Sequence, residues 1–459
     1  MTATTKPGIV HLGLGAFFRA HGAAYIARAM EKSGGDWGII GVSLQSPRVR
    51  DALAPNGFAY WAVEQGPEGE IPRRMDVIQN VLVAPEDPAA VLEVMADPAI
   101  RIVTLTVTEK GYCHNPATGA LNPDHPDILH DLTSPLPRSA PGFLVRALQM
   151  RHTRGLAPFT AMTCDNLPEN GRVLRAVVLD LARRIDPGLA DWIAAEGRFP
   201  ATMVDRIVPA TKQEDITRLH DMGIRDAAPV MHEPFGQWVI EDDFVAGERP
   251  DLVAAGAELV ADVTPYEHMK LRMLNGTHSA LAYLGYLAGH ETIADTVADT
   301  AFAGFVKTLW TREIIPALTP PPGVDLSAYA RQLFQRYSNP AIRHRTWQIA
   351  MDGSQKLPQR ILGTWVENHA AGRESPGLTL AVAGWMHYIS GCGLDGKPID
   401  VRDPLAEDLA RRAKDGPGAL LDQRAIFSEQ QARDLRGPVA TAHAKLAKLG
   451  AQKAIEELT

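Results

Sequence analysis

The sequence has few cysteines, no long apolar run and no surplus of positive charge. Its three cysteines, Cys113, Cys164 and Cys392, include no C-x-x-C pair, so neither a disulfide framework nor a zinc knuckle is expected. No apolar stretch approaches the roughly 18 residues of a membrane span. The first residues lack the apolar region of a signal peptide. We therefore expect a cytoplasmic protein without a membrane-spanning segment.

The charge balance argues against nucleic acids and anionic membranes as partners. Lys and Arg total 46 and Asp and Glu total 54, which gives a formal net charge of −8, whereas those partners require a basic surface. A local basic pocket for a small anion is still compatible with this charge. Apolar residues make up 45% of the 459 residues. At about 100–200 residues per domain, this length predicts two or three domains with substantial cores.

The first part of the chain predicts a doubly wound α/β fold. A strand at Gly8–Leu12, a helix from Arg19 to about Glu31 and a strand at Trp37–Val42 form an N-terminal βαβ unit. The β-branched run Ile100–Val107 is typical of a central parallel strand, and Phe159–Cys164 repeats this pattern. Further strands are predicted at residues 203–208 and 239–240, and helices at 142–152 and 173–184.

From about residue 264 onward, helical periodicity replaces strand-like runs. Helices are predicted at residues 264–287, 326–337, 343–350, 378–389, 428–436 and 439–449. The last two are separated by Gly437-Pro438, a pair that breaks helices. We place the domain boundary between residues 262 and 263. Residues 1–262 then form a dinucleotide-binding Rossmann-type domain, and residues 263–459 a mostly α-helical domain for substrate and catalysis.

The segment Gly13-Leu14-Gly15-Ala16-Phe17-Phe18 matches the first two glycines of the dinucleotide-binding G-x-G-x-x-G turn. The first glycine allows the tight turn and the second allows the backbone to approach a pyrophosphate. The alternative is an ordinary strand-to-helix turn. Arg19 could add charge near a phosphate or could lie on a solvated helix face. Residues 43–45, after the second strand, lack the acid expected on the ribose, so NAD and NADP both stay open.

One helix in the second part carries an unusual set of polar residues. Thr264-Pro265-Tyr266-Glu267 is a capping box with proline at the first helical position. At about 100° per residue, Glu267, Lys270, Asn275 and His278 share an arc of roughly 140°. A solvated face or satisfied core groups would explain them. The functional alternative is a site at the domain junction, where a desolvated lysine exchanges protons near neutral pH.

Several segments together resemble the polyol-specific long-chain dehydrogenase/reductase family, which includes the mannitol dehydrogenases. The signature K-x-x-x-x-N-x-x-H appears as Lys270, Asn275 and His278. The other matching segments are residues 9–17, 106–112, 163–166, 203–206 and 233–238. The stretch from Arg343 to Arg360 is most similar to the fructuronate reductase branch of the family.

The resemblance implies a metal-independent, NAD(H)-linked enzyme with an N-terminal Rossmann-type domain and a helical C-terminal domain. It implies that Lys270 is the general acid/base, that Asn166 and Asn275 hold the reacting oxygen, and that His278 orients the substrate. Asp205 and Glu267 match positions that line the site. The residues expected to contact the cofactor are Gly13, Gly15, Ala16, Phe17, Arg19 and Glu109.

The reaction that follows from the resemblance interconverts D-fructuronate and D-mannonate. The substrate carboxylate requires a cationic partner, for which Arg343, Arg345, Lys356 and Arg360 are candidates. We retain Arg343 and Lys356 as the expected pair, although a solvated face would also explain such residues. Two alternatives remain: a mannitol, arabinitol or sorbitol 2-dehydrogenase, and a non-catalytic nucleotide-binding sensor. The expected partner is a small sugar acid or polyol, and both a monomer and a dimer are compatible with the sequence.

Overall fold

The computed structural model describes residues 5–115 and 118–458. The chain divides into two compact units, Met1–Thr264 and Pro265–Thr459. The cofactor and substrate roles expected for the two parts of the sequence stay predictions. None of the helices in the described part of the chain has the length and apolar character needed to cross a membrane.

The strands of the first unit form three sheets. In chain order they are β1 Pro7–Leu12, β2 Gly38–Ser43, β3 Tyr60–Gly66, β4 Gly69–Met75, β5 Ile78–Val83, β6 Ile102–Leu105, β7 Thr160–Thr163, β8 Thr202–Asp205, β9 Val230–His232, β10 Gln237–Glu241 and β11 Glu258–Val260. The largest sheet has five strands in the order β5-β2-β1-β6-β7. The two smaller sheets have the orders β11-β10-β8 and β4-β3-β9.

Every pairing in the five-stranded sheet is parallel. Strands β1, β2, β6 and β7 are almost wholly buried, whereas the edge strand β5 is buried at three of its six positions. Apolar runs without alternation suit the inner strands, because helices cover both faces of a parallel sheet. The chain winds from β1 to β2 on one side and continues at β6 on the other side. The carboxyl ends of β1 and β6 therefore define the switch point where ligands of this fold class bind. The doubly wound fold predicted from the sequence, with β6 in its interior, is confirmed.

A β-hairpin formed by β3 and β4 was not predicted. Strand β4 has the sequence Gly-Glu-Ile-Pro-Arg-Arg-Met, and Ile71 within it is 64% exposed. Within the described residues it is an edge strand, paired with β3 and no other strand. Proline and charged residues are common on edge strands because they discourage pairing with other chains. The same residues hide the strand from an analysis based on apolar runs.

The helices of the first unit lie between these strands. In chain order they are α1 Ala16–Ala20, α2 Gly22–Ser33, α3 Arg48–Leu53, α4 Pro88–Ala96, α5 Thr108–Gly111, α6 Pro126–Thr133, α7 Ala140–Thr153, α8 Asn170–Ile185, α9 Pro187–Glu196 and α10 Gln213–Asp221. The single helix predicted after the glycine turn is in fact two, α1 and α2. His21 interrupts it with non-helical angles of φ −115° and ψ −83°, and a ring nitrogen of His21 lies 2.9 Å from the carbonyl oxygen of Gln237.

The second unit is helical, as the sequence predicts, and includes three π-helical segments (π1–π3) within the described residues. Its elements are α11 Thr264–Met269, π1 Lys270–Gly276, α12 Thr277–Leu287, α13 Ile293–Ala298, α14 Thr300–Thr308, π2 Leu309–Ile314, α15 Leu326–Tyr337, α16 Thr346–Ala350, α17 Gly353–Leu357, π3 Pro358–Leu362, α18 Gly363–Ala370, α19 Pro376–Ile389, α20 Ala406–Ala413, α21 Pro417–Leu421, α22 Glu429–Leu449 and α23 Ala451–Glu456.

The two helices predicted near the C-terminus are one helix, α22, with Pro438 in its interior. The break expected at Gly437-Pro438 is therefore wrong. Leu435, Val439 and Leu446 are fully buried on this helix, which packs against α19. An interior proline costs about 3 kcal/mol or more. Burial of an apolar stripe on both sides of Pro438 offsets that cost.

Candidate functional site

The glycine turn follows β1 and leads into α1. Gly13 has φ +86°, in the left-handed region, and a Cβ atom there would lie 2.2 Å from the carbonyl oxygen of Thr106. Gly15 is the N-cap of α1, and a Cβ atom there would meet only the Gly13 oxygen, at 3.8 Å. Gly15 is exposed, and Ala16 and Phe17 are half-buried. The turn thus offers backbone at a helix start with no side chain in the way, an arrangement that fits a phosphate group.

Phe18, at the position of the missing third glycine, is fully buried. Its ring stacks on His11 with centroids 3.3 Å apart. Gly22 allows this placement, since a Cβ atom there would come within 2.5 Å of the Phe18 ring. The third glycine of the motif usually allows close helix–strand packing. Here Gly22, one helical turn after Phe18, allows the close packing instead.

Arg19 does not lie on a solvated face. It is buried, and its Nη1 donates to the carbonyl oxygen of Ala228 at 2.5 Å. Its guanidinium lies over the ring of Tyr60 at 5.4 Å, and the Tyr60 hydroxyl donates to the Arg19 carbonyl at 2.6 Å. These contacts fix α1 to neighbouring segments and give a phosphate role for Arg19 no support.

The glycine turn is bonded to the end of β6. The hydroxyl of Thr106 donates to the Gly13 carbonyl at 2.8 Å. His11 connects the same strands, because its two ring nitrogens lie 2.7 Å and 2.8 Å from the hydroxyls of Thr104 and Thr106. Burial lowers the pKa of His11 to about 3, so this imidazole is neutral. The glycine turn after β1 and the end of β6, where the cofactor is expected to bind, are thus adjacent in the fold.

Asp165 connects the ends of β6 and β7. Its carboxylate accepts from the backbone N–H groups of Val107 and Thr108, at 2.9 Å and 3.0 Å, and from the Tyr112 hydroxyl at 2.8 Å. Burial raises the pKa of Asp165 despite these donors. The sequence analysis gave Asp165 no role, yet it positions the segments that carry Glu109 and Asn166. Both of those residues are exposed.

Asp205 is buried at the end of β8. The next residue, Arg206, donates from Nε to the carbonyl of Phe235 at 2.9 Å and from Nη1 to the carbonyl of Ala20 at 2.7 Å. A Cβ atom at Gly236 would lie 2.5 Å from the Arg206 guanidinium. The Met203–Arg206 and Glu233–Trp238 segments are therefore neighbours, and Arg206 joins both to α1.

In the second unit, Lys270, Asn275 and His278 follow one another along π1 and the start of α12. Lys270 and His278 are buried, with 8% and 7% exposure, and Asn275 and Glu267 are half-buried. Residues 270–276 form a π-helix and not the regular α-helix expected from the sequence, which changes the angles between these side chains. In a π-helix the backbone N–H of residue i+5 bonds to the carbonyl of residue i. Lys270 and Asn275, five residues apart, are therefore about one turn apart, closer on the helix face than the α-helical spacing predicts.

Two buried side chains hold π1 in place. The Trp310 indole donates to the Met273 carbonyl at 3.0 Å and to the Thr277 hydroxyl at 2.8 Å. The Tyr337 hydroxyl donates to the Leu274 carbonyl at 2.8 Å. These donors satisfy backbone and side-chain acceptors that an irregular buried helix must match.

Gly276 brings π1 against π3. A Cβ atom at Gly276 would lie 2.5 Å from the backbone oxygen of Arg360. The Arg360 Nη1 donates to the Ser279 hydroxyl at 3.3 Å. The helix that carries Lys270 and the helix that carries Lys356 and Arg360 are thus in backbone contact.

Positive groups surround His278; we call His278, Arg336, His344, Lys356 and Arg360 the cationic cluster. The rings of His278 and His344 meet edge-to-face, with centroids 4.9 Å apart. Burial lowers the pKa of His278 well below its usual range, and the other four members lower it further. The same influence of burial, Lys356 and Arg360 lowers the pKa of His344 to about 4. Both imidazoles are neutral, and the charge comes from one lysine and two arginines.

Lys356 and Arg343, the expected carboxylate partners, differ in their surroundings. Lys356 is half-buried and donates to the Met351 carbonyl at 2.6 Å. Burial and the charge of Arg360 lower the pKa of Lys356 to about 8. The Arg343 side chain is 60% exposed, and its Nη2 lies 3.3 Å from Glu291. Lys356 therefore lies in the cationic cluster and Arg343 lies on the surface, and the carboxylate role of each stays a prediction.

Asp403 holds the helix that presents Lys356. Its carboxylate accepts from the Ser354 backbone N–H at 2.8 Å and from the Ser354 hydroxyl at 2.6 Å. The adjacent Arg402 carbonyl accepts from the Asp352 N–H at 2.9 Å. Asp403 could not be predicted from the sequence, since no local pattern links it to Ser354, 49 positions earlier. Arg336 and His344 were given no role either: Arg336 lies in no motif, and His344 lies in the Arg343–Arg360 stretch without a role of its own.

A parallel sheet with a glycine turn at its switch point, together with a helical unit that buries a lysine and a histidine on one helix, defines a Rossmann-type dehydrogenase. The sequence matches the Mannitol dehydrogenase Rossmann domain over residues 7–253 and the Mannitol dehydrogenase C-terminal domain over residues 262–449. The chain belongs to the mannitol dehydrogenase family and is an oxidoreductase of that family.

Relatives of known name and structure support this membership. The chain is 46% identical to D-mannonate oxidoreductase of Escherichia coli K12, over 98% of this chain and 95% of the relative. It is 40% identical to mannitol 2-dehydrogenase of Aspergillus fumigatus, over 98% and 92%. Among solved structures, Pseudomonas fluorescens mannitol 2-dehydrogenase in ternary complex with NAD and D-mannitol is 37% identical. It has a TM-score of 0.88 over 100% of this chain and 95% of that one. The family resemblance found in the sequence is confirmed.

Proposed function

We propose that this protein is an NAD(H)-dependent oxidoreductase that interconverts D-fructuronate and D-mannonate. The observation that carries the proposal is the cationic cluster beside His278, because fructuronate differs from a neutral ketose by its carboxylate. The identity of 46% with a D-mannonate oxidoreductase supports the same substrate. The proposed reaction is D-fructuronate + NADH + H⁺ ⇌ D-mannonate + NAD⁺.

The glycine turn fits a dinucleotide. Gly13 and Gly15 leave an open space at the start of α1. A side chain at position 15 would begin to fill this space. When bound, the nicotinamide cofactor supplies or accepts the hydride. We propose NAD(H) because of the family resemblance. NADP(H) is the second cofactor to be tested, since residues 43–45 contain no acid for the ribose. Arg50, a cation that follows the second strand, is already paired with Glu86, which favours NAD(H).

Lys270 is the proposed general acid/base. Its ammonium protonates the oxygen of the ketone as hydride reaches the carbon, and in oxidation its neutral amine removes the proton from the hydroxyl. Asn166 and Asn275 are proposed to donate N–H groups to the oxygen as negative charge develops, an effect of about 2.7–4 kcal/mol per donor at comparable sites. His278, held neutral by burial and by adjacent positive charges, orients a substrate hydroxyl. Asp205 and Glu267 are proposed to line the substrate site.

Lys356 and Arg360 are the proposed partners of the substrate carboxylate. Both lie near His278, and both contribute to the field that lowers its pKa. Charge-assisted hydrogen bonds to a carboxylate are among the stronger ones in proteins. Arg343, although expected from the sequence, lies on the surface beside Glu291 and is the weaker candidate.

The test is turnover of D-fructuronate, D-fructose, D-tagaturonate and D-ribulose, each with NADH and with NADPH. We expect the highest kcat/KM with fructuronate and NADH. A preference for fructose would favour the second candidate, a mannitol 2-dehydrogenase, which the 40% identity and the close structural relative support. Cofactor binding without turnover of any substrate would favour the non-catalytic sensor.

A further inference from the structure

A group of metal-binding side chains in the first unit has no part in the proposed reaction. Cys113, His125 and Asp127 each offer one ligand atom, and these three atoms lie within 4.8 Å of one another. Cys113 is buried, and the other two residues are half-buried. A thiol, an imidazole and a carboxylate at such distances form a mixed donor set that no element of the proposed catalytic machinery uses.

The backbone holds Cys113 in an uncommon conformation. Its φ is +51°, in the left-handed region that non-glycine residues seldom adopt. A short turn fixes it there: the Asn122 N–H donates to the Cys113 carbonyl at 2.8 Å, and His114 forms a β-bridge with Leu121. The Cys113 side chain is thereby held beside the start of α6.

The imidazole of His125 caps the start of α6 and lies beside Asp127. Its Nδ1 accepts from the Asp127 backbone N–H at 3.2 Å, so an ion that binds Nδ1 replaces this hydrogen bond. The same Nδ1 lies 3.9 Å from Asp127 Oδ2. A tetrahedral site with bonds of about 2.0–2.3 Å places its ligand atoms about 3.3–3.8 Å apart. Because the three atoms lie within 4.8 Å of one another, closure around an ion requires the widest pair to approach by at most about 1–1.5 Å.

Two carboxylates make this place negative. Burial raises the pKa of the Cys113 thiol, and the carboxylates of Asp127 and the fully buried Asp131 raise it further, so an ion that binds here must displace the thiol proton. Asp131 is already bonded to the Arg138 and Ser139 N–H groups, at 2.7 Å and 3.0 Å, and to the Ser139 hydroxyl at 2.6 Å. It therefore adds charge, while the carboxylate of Asp127 is positioned to act as a ligand.

We propose that Cys113, His125 and Asp127 bind one Zn²⁺ ion, with water as the fourth ligand. Sulfur and nitrogen donors favour zinc over magnesium or calcium, which prefer oxygen alone. On binding, the S–H bond of Cys113 breaks, the thiolate coordinates the ion and one proton passes to solvent, without any change of oxidation state. The ion connects the Cys113 turn to α6 and takes no part in hydride transfer.

The first test uses Co²⁺ as a spectroscopic substitute for zinc in the chelator-treated full-length protein. We expect one equivalent of Co²⁺ to give the absorption of a tetrahedral ion with a thiolate-to-metal band, and Zn²⁺ to displace it. Cys113→Ser should abolish the band. Cys392→Ser is the matched control, since Cys392 is an exposed thiol in the second unit, and it should retain the band. Absence of a thiolate band in the wild type, or its loss in Cys392→Ser, would overturn the proposal.

A second test separates ligand loss from misfolding. His125→Asn keeps a side chain able to cap α6 but removes the imidazole, and Asp127→Asn removes the charge. Each should weaken Zn²⁺ binding at least about tenfold, while thermal unfolding of the metal-free proteins stays close to that of the wild type. Zinc should raise the Tm of the wild type and not that of Cys113→Ser. Undiminished Zn²⁺ affinity in His125→Asn would contradict the assignment of ligands, whatever the outcome of the activity assays.

Discussion

The two units prepare their parts of the proposed chemistry in different ways. In the first unit the important atoms belong to the backbone: Gly13 and Gly15 clear a helix start, and Asp165 fixes the adjacent strand ends through N–H groups. In the second unit they belong to charged or polar side chains, Lys270 and His278, removed from water. The backbone site of the first unit requires that no side chain fills the helix start, whereas the polar side chains of the second unit depend on the groups that surround them.

This difference predicts separable defects. A side chain added to the first unit should impair cofactor binding, whereas a charge removed from the second should impair proton transfer or carboxylate recognition. Variants in one unit should leave the function of the other unchanged. Four sets of variants test this division, beginning with the largest expected effect.

Lys270→Ala should lower kcat by about 10²–10⁴-fold, the usual contribution of a general acid/base. Affinity for NADH, measured by fluorescence titration, should stay within about twofold of the wild type. Lys448→Ala, an exposed lysine on α22, is the control and should have normal kcat. If NADH affinity fell as much as kcat in Lys270→Ala, the division between the units would be wrong.

Gly13→Ala and Gly15→Ala form a matched pair in the first unit. Gly13→Ala forces a left-handed φ on alanine, at a cost of about 1–3 kcal/mol, and places Cβ 2.2 Å from the Thr106 oxygen. It should lower Tm and weaken NADH binding. Gly15→Ala has open space around its Cβ atom, so it should weaken NADH binding with little change in Tm. Equal losses of Tm in the two variants would show that Gly15 has a structural role instead.

Lys356→Met should raise KM for fructuronate by at least about tenfold, since a hydrogen bond to a charged group contributes about 1.5–3 kcal/mol. KM for fructose should hardly change. Burial and Arg360 lower the pKa of Lys356 to about 8, so its charge is present below that pH and is lost as pH rises through it. In the wild type, KM for fructuronate should therefore rise between about pH 7 and pH 9. Lys356→Arg, which keeps its charge throughout this range, should show no such rise.

The parts of the molecule that could be predicted from sequence are those whose causes are local. The β1–α1 turn follows from two glycines after a buried apolar strand, and the helical second unit follows from its periodicity. The π1 segment could not be predicted, because a periodicity of 3.6 residues was assumed throughout. It depends on donors such as Trp310, which lies 33 residues or more from the atoms it bonds.

Long-range packing also explains the other places where the structure differs from the sequence-based prediction. Pro438 is accommodated because α22 is buried against α19, which no window of sequence around the proline can reveal. Asp403 holds Ser354 across 49 residues. The role of Asn166 follows from the family resemblance alone, and that of Lys270 from the resemblance together with its place on a polar helix face; both stay predictions.

Arg343→Ala should have the smallest effect of the four. The sequence alone favoured Arg343 as a carboxylate partner, but its side chain is 60% exposed and paired with Glu291, and surface ion pairs of this kind contribute little. KM for fructuronate and for fructose should both stay within about twofold of the wild type. Arg345 is 52% exposed and lies 3.5 Å from the same glutamate, so it provides the control. The double variant Arg343→Ala/Arg345→Ala should still change KM for fructuronate by less than the single variant Lys356→Met. A rise in KM for fructuronate alone would place the carboxylate on the surface pair, and the contrast between buried and exposed cations would not hold.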